Sequence, residues 1–444
     1  MRGKEIQTWT HRLFVAHRAA LEEQLPDNSL LFLFAGEPKQ KTLDMDYPFR
    51  VDNNYYYMTG FDRANWFLML TKLQGKVKEW LFIERPDPYL ERYFGKMPDL
   101  ADAAEKSGVR DVYYLDRFDW EIGRLLSRNT FETLLFDFHK RELNSVSYPE
   151  NEMCRRITEA HPYLTVRNIG PVINNLRRVK APQEIECIRR AIDITEKGIR
   201  AILDHLRPGV NEAELQAHFD FALTMNGAKD NAFDPIIAGG KNSNVLHYSR
   251  NDQTVREGDV LLVDLGAEYG YYAADISRTF PVSGKFTEEQ KIYYNAVLYG
   301  QQKVLEYLAP GKPVEDTLRV AREAIGEKLL EAGRIQSLDE MTRLLPHGVS
   351  HYVGLDCHDV GDRGLLEPGM IVTMEPGAYM PDLGFWHPHR GRRPDHRGRR
   401  RAPLPPNIPQ DRRGDRGLYG PPQPLMAPAP AARLTIDPNP HSTP

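Results

Sequence analysis

The sequence predicts an α+β protein with two folded parts, residues 1–172 and 173–386, followed by an aberrant segment, 387–444. Three observations carry this. The chain has 444 residues, too long for one small domain and comfortable for two. Hydrophobic residues make up 41% and charged residues 27%, the balance of a chain that buries a sizeable core. Strand-like and helix-like periodicities alternate as far as residue 386 and then stop.

In the first part, Leu13 to Leu25 has the apolar spacing of a helix. Strand candidates follow at Leu30–Phe34, Trp66–Leu70, Trp80–Ile83 and Thr133–Phe136, which makes this an α/β unit. The run Tyr55-Tyr56-Tyr57 reads as core and strand packing rather than a ligand cage. The second part opens near Asn175. Lys180-Ala-Pro-Gln-Glu-Ile places a proline and acids as in a helix first turn; that helix runs toward Leu206 and stops at Pro208-Gly209. Another helix spans Asn211 to Met225.

Composition excludes several classes. Net charge is −4, so no global basic field argues for nucleic acid. No apolar run approaches the ~20 residues of a membrane span, and the N-terminus has no signal-peptide core. Three widely spaced cysteines indicate neither a disulfide framework nor a thiolate metal cluster. The expectation is a cytoplasmic protein.

Chemistry concentrates in the second part. Asp259 to Thr279 reads as two strands joined by a tight turn around Tyr269-Gly270, which sets Asp264 and Asp275 opposite each other on one face. Two carboxylates that close repel unless a proton or cation lies between them; the alternative is a pair facing solvent. In Pro346-His347-Gly-Val-Ser-His351-Tyr-Val-Gly-Leu-Asp-Cys-His358-Asp359, three histidines fall within twelve residues among glycine and apolar residues. Imidazole there supplies a nitrogen ligand or a proton carrier. Met370 to Glu375 reads as a buried strand ending in a carboxylate before Pro376, costly to bury unless paired or bound to metal. Oxygen-rich sites with one histidine favour hard or borderline ions such as manganese over thiolate-loving ones.

Val263-Asp264-Leu-Gly-Ala-Glu-Tyr, Ala274-Asp275-Ile-Ser-Arg-Thr-Phe, His347-Gly-Val-Ser-His351, Val353-Gly-Leu-Asp-Cys-His358-Asp359 and Met374-Glu375-Pro-Gly resemble the Xaa-Pro aminopeptidase (aminopeptidase P) family, with prolidase as close kin. Tyr47-Pro-Phe-Arg, Asn53 to Phe61 and Tyr93-Phe-Gly95 resemble that family's N-terminal domain. The resemblance runs to about Phe385. It implies a pita-bread catalytic fold behind an aminopeptidase P N-terminal domain, and two divalent ions, usually manganese. Asp264 would chelate one metal, Asp275 would bridge both, and His351 and Glu375 would bind the second. His247 and His358 would line the substrate site and stabilise the transition state, with His347 supporting nearby. The implied partner is a peptide with proline at position two, the alternative a Xaa-Pro dipeptide. A homo-oligomer is implied too, with Tyr93 reaching toward a neighbouring subunit's site.

The pattern breaks after Gly384. The family has a further bridging glutamate in a strand resembling Gly-Ile-Arg-Ile-Glu-Asp; here Arg390 holds its position. From His387 to Pro444 there are 11 arginines, no lysine and 14 prolines. Back-translated and read one nucleotide later, His387-Pro-His-Arg-Gly-Arg-Arg-Pro-Asp-His-Arg-Gly becomes Ile-Arg-Ile-Glu-Asp-Asp-Asp-Leu-Ile-Thr-Glu. The segment from Asn407 likewise becomes Thr-Ser-Arg-Lys-Thr-Val-Glu-Glu-Ile-Glu-Ala-Phe-Met. Both resemble the family's C-terminus, and a frameshift in the gene or its sequencing accounts for them. Taken literally, the chain is expected to have a disordered tail, to lose the strand pairing beside Glu375 and to bind metal weakly with little peptidase activity. It could then serve as an inactive pita-bread binding protein. RNA binding by the tail is the rival reading, but its only aromatic residue is Tyr419 and it has no docking motif.

Overall fold

The computed structural model describes residues 2–138, 148–380 and 385–388. The Arg/Pro-rich segment beyond Pro388, Arg390 included, lies outside the described residues.

The first half is a six-stranded mixed sheet wrapped by helices. Its elements are α1 (Arg2–Gln24), β1 (Ser29–Phe34), α2 (Asn53–Thr59), β2 (Phe67–Leu73), β3 (Lys76–Ile83), α3 (Pro88–Phe94), α4 (Leu100–Ser107), β4 (Asp111–Tyr114), α5 (Phe118–Arg128), β5 (Thr133–Phe136), α6 (Pro149–Ala160) and β6 (Thr165–Asn168). The strand order is β4-β3-β2-β1-β5-β6. β1, β2 and β3 form an antiparallel meander, and parallel strands are added on both sides. The β2–β3 hairpin closes on Gln74 and Gly75, both at positive φ (52° and 73°), the two-residue turn whose twist matches the strands. All four expected strands are present, and β4 and β6 join them.

Tyr55 and Tyr57 are buried and Tyr56 partly so, in line with core packing, but the run forms helix α2 instead of a strand. Asp52 caps it by accepting from Tyr55 N at 2.8 Å, and Gly60 ends it in the left-handed region. Caps at both ends outweigh the β-propensity of three tyrosines.

The second half continues with α7 (Gly170–Arg178), α8 (Pro182–His205), α9 (Glu212–Met225), β7 (Ile236–Gly239), β8 (Val260–Leu265), β9 (Glu268–Tyr269), β10 (Tyr272–Ala273), β11 (Ile276–Pro281), α10 (Glu288–Tyr307), α11 (Asp316–Glu331), α12 (Met341–Leu344), β12 (Gly377–Met380) and β13 (Phe385–Pro388). Both expected helices, α8 and α9, are present. The central sheet has the order β11-β8-β7. Its residues alternate between two cores. Leu261, Val263 and Leu265 pack with Ile194, Ile199 and Phe219 of α8 and α9. Leu262 packs the other way, with Val297 and Ile325 of α10 and α11. Asp264 shares the face of Leu262, by the two-residue period of a strand.

The segment Met370 to Glu375, expected as a strand, is extended but joined only by isolated bridges, including Tyr352 to Val372 and Val179 to Met370. The pairing that follows Glu375 is not lost: β12 and β13 form an antiparallel ladder from Gly377–Pro388 to Met380–Phe385. A third core crosses between the halves, joining Leu21, Tyr55, Trp66 and Ile83 to Ile185, Ile188, Tyr272 and Val353.

Candidate metal centre

Asp264 and Asp275 flank a hairpin whose register differs from the expected one. The turn residues are Gly270 and Tyr271, both at positive φ (57° and 69°), with Tyr269 paired to Tyr272. Asp264 therefore faces Ser277, and Asp275, just before β11, lies diagonally along the same face. A tyrosine at φ 69° is strained by about 1–2 kcal/mol. Its surroundings hold it: the ring lies 4.4 Å from that of Tyr56 and the hydroxyl donates to Asp62 at 3.2 Å.

The second strand of the site is the extended segment carrying Glu375. Thr373 N donates to His351 O at 2.8 Å and Glu375 N donates to Val349 O at 2.9 Å, which puts His351 and Glu375 on one face. Thr373 adds its hydroxyl, which accepts from His351 N at 2.9 Å and donates to Glu375 Oε1 at 3.0 Å. His351 Nδ1 donates to Tyr352 O at 2.9 Å, so its tautomer turns Nε2 toward the carboxylates. Nε2 stands 2.9 Å from Glu375 Oε1 and 3.3 Å from Asp275 Oδ2. Asp264, Asp275 and Glu375 are all buried.

Burial opposes a charge on His351, but hydrogen bonds to Asp275 and Glu375, and their charges, outweigh it and raise the imidazole pKa from 6.5 to about 9. A raised folded-state pKa gives stability that is complete below 6.5 and is lost as pH rises to about 9. The metal-free chain should accordingly show a falling unfolding temperature across that window, and a His351→Gln chain should not. Parallel curves for the two, measured in chelator, would remove the argument.

The other expected residues divide. The His358 ring lies 4.3 Å from that of His351, nearly edge-on. His347 is held by its neighbours: Nδ1 donates to Gly348 O at 2.7 Å, and Nε2 accepts from the Tyr379 hydroxyl at 2.5 Å. His247 sits on an exposed turn and makes none of these contacts. Tyr93 is exposed on α3, its hydroxyl 3.3 Å from that of Tyr89.

Sequence reasoning assigned no role to several residues here. Tyr379 is two residues past Gly377 in β12, where strand alternation could have flagged it. Cys357 Sγ donates to Asp275 Oδ2 at 3.5 Å. Asp359 follows His358 directly and is wholly buried; it accepts from Arg177 Nη2 at 2.5 Å and Lys180 Nζ at 2.8 Å. Arg177 also donates to Asp356 at 2.6 Å and Asn54 at 2.7 Å.

The chain is similar to known proteins in sequence and in fold. Residues 14–135 match the aminopeptidase P N-terminal domain and residues 186–398 match metallopeptidase family M24. The chain is 30% identical to the Xaa-Pro aminopeptidase of Haemophilus influenzae over 381 residues, 83% of this chain and 86% of that protein. It is 35% identical to human Xaa-Pro aminopeptidase 3, covering 76% of this chain and 69% of the relative. Among solved structures, one described as an aminopeptidase P from Bacillus anthracis superposes with a TM-score of 0.84 at 38% identity, over 86% of this chain and 91% of that one. Zinc-substituted Escherichia coli aminopeptidase P in complex with product gives 0.77 at 29% identity, over 86% and 91%. With an aminopeptidase P N-terminal domain ahead of a pita-bread M24 domain, this chain belongs to the aminopeptidase P family of metallopeptidases.

Proposed function

We propose that the site releases the N-terminal residue from peptides with proline at position two, using two divalent ions, manganese by preference, held by Asp264, Asp275, His351 and Glu375. The observation that carries this reading is His351 Nε2 between the carboxylates of Asp275 and Glu375. Two buried carboxylates beside one imidazole suit a hard or borderline cation, and the same two carboxylates that lift His351 toward pKa 9 are charges a cation would neutralise. When bound, such ions supply a Lewis acid and lower the pKa of the attacking water.

The chain's own residues do the rest. Thr373 fixes Glu375 and the His351 backbone together. His358, beside His351, would hold the scissile carbonyl. His347 keeps the Tyr379 hydroxyl aimed, and His247, on its exposed turn, would meet the peptide at the rim. A bond to proline has no N–H and a fixed φ, so recognition falls to shape and to carbonyl contacts. A division near residues 172 and 386, a homo-oligomer and a cytoplasmic location belong to the same proposal. Among the described residues no helix is long and apolar enough to cross a membrane.

The test compares the 444-residue chain with a version restored to the alternative frame after Gly384. Metal content and hydrolysis of a Xaa-Pro tripeptide are measured for both, with a Xaa-Pro dipeptide as the second substrate. The restored chain should hold two ions per subunit and cleave the tripeptide, and the literal chain should do both poorly. Equal metal content and activity in the two would refute the frameshift account, and a restored chain that cleaves neither peptide would refute the activity.

A further inference from the structure

Arg50 belongs to the N-terminal half, yet its guanidinium works on the catalytic half. Nη1 pairs with the buried carboxylate of Glu268 on β9. Nη2 donates to Leu355 O at 3.3 Å and to Asn53 Oδ1 at 3.3 Å. The guanidinium carbon lies 4.6 Å from the centre of the Tyr271 ring, within cation–π range. Asn53 Nδ2 donates to the same Leu355 carbonyl at 3.3 Å.

The positions of these partners give the contacts their meaning. Glu268 and Tyr271 lie on the hairpin between Asp264 and Asp275. Leu355 lies on the loop between His351 and His358. One cation therefore ties the segment carrying both aspartates to the segment carrying both histidines, beside a backbone bond from Ala273 N to Gly354 O at 2.8 Å.

We propose that Arg50 is a positioning residue for the metal centre: through it the N-terminal domain fixes the spacing between the aspartate hairpin and the histidine loop. This rests on the metal-centre reading above. Arginine suits the task because its planar fork addresses several acceptors at once, whereas a lysine ammonium could keep the Glu268 pairing but not span to Leu355 in the same pose. The Arg50 side chain is 44% exposed, so its loss removes a strut and leaves the core intact.

Full-length chains carrying Arg50→Met and Arg50→Lys are titrated with cobalt(II), whose visible absorption reports ligand geometry, and their hydrogen exchange is followed. Arg50→Met is expected to need about tenfold more cobalt for half-saturation, as when groups supporting metal ligands are removed, with a displaced absorption band. Exchange should rise in residues 264–276 and 351–359 and stay unchanged in the N-terminal sheet. Arg50→Lys should recover part of both effects. Superimposable cobalt titrations for Arg50→Met and the parent overturn the proposal, as does exchange that rises evenly along the chain. If Asp275→Asn leaves the parent's cobalt spectrum unaltered, the metal-centre reading itself fails and the proposal falls with it.

Discussion

An Asp275→Asn chain is expected to lose divalent-metal affinity by about 100-fold or more while its metal-free form, above about pH 9, remains as stable as the parent. Removing a group that merely supports a ligand costs about 10–100-fold in affinity, so a ligand's own loss starts near the top of that range. Above that pH His351 is largely neutral, so the variant gives up no charge pairing with it, and one of two neighbouring buried carboxylate charges is gone. Asparagine keeps the volume and a hydrogen-bonding oxygen for Cys357 and His351 while removing one negative charge. Calorimetric titration with manganese(II) and thermal unfolding in chelator measure the two halves of the statement. Parental affinity in the variant would dismiss Asp275 as a ligand; a large fall in metal-free stability would make it a structural acid.

Arg177→Met is expected to cost about 3–5 kcal/mol of folding stability, the loss seen when one partner of a buried ion pair is removed. Asp359 is wholly buried, and its burial penalty is outweighed by Arg177 and Lys180, which hold its carboxyl below the usual range. Without the guanidinium, Lys180 alone faces Asp359, and Asp356 and Asn54 lose their bonds to Arg177. A lowered folded-state pKa confers stability above the ordinary value of 3.8 that is lost as pH falls through the lowered one, so the variant's deficit should shrink in acid. Adding Asp359→Asn should recover part of the loss, because the buried charge goes with its partner. Denaturant unfolding of the single and double variants decides it. Strict additivity would mean that the two residues do not act as a pair.

What the sequence revealed, and what it hid, follows from local signals. Leu30–Phe34 and Thr133–Phe136 are apolar runs with nothing to compete, and they are strands. Thr165–Asn168 is also a strand, but it lies at the sheet edge with every residue exposed, so it carries no hydrophobic pattern. The tyrosine run hid a helix because its signals were the caps at Asp52 and Gly60, not the residues between them. In the site, residue identity was legible and register was not. A Gly-Tyr turn is a weak hairpin signal, since tyrosine takes a positive φ only where tertiary contacts hold it, and those contacts come from residues about 210 positions earlier. Long-range partners such as Arg177 with Asp359 leave no periodic trace at all.

The core that joins Tyr55, Trp66 and Ile83 to Ile185, Tyr272 and Val353 sets an order on synthesis. The N-terminal sheet leaves the ribosome with one wall of its interior uncovered, and Val353 emerges long after Ile173. At ~5–20 residues per second that gap of roughly 180 residues lasts ~10–40 s. Through that interval part of this apolar surface stays uncovered, the condition under which a nascent chain is open to misassembly.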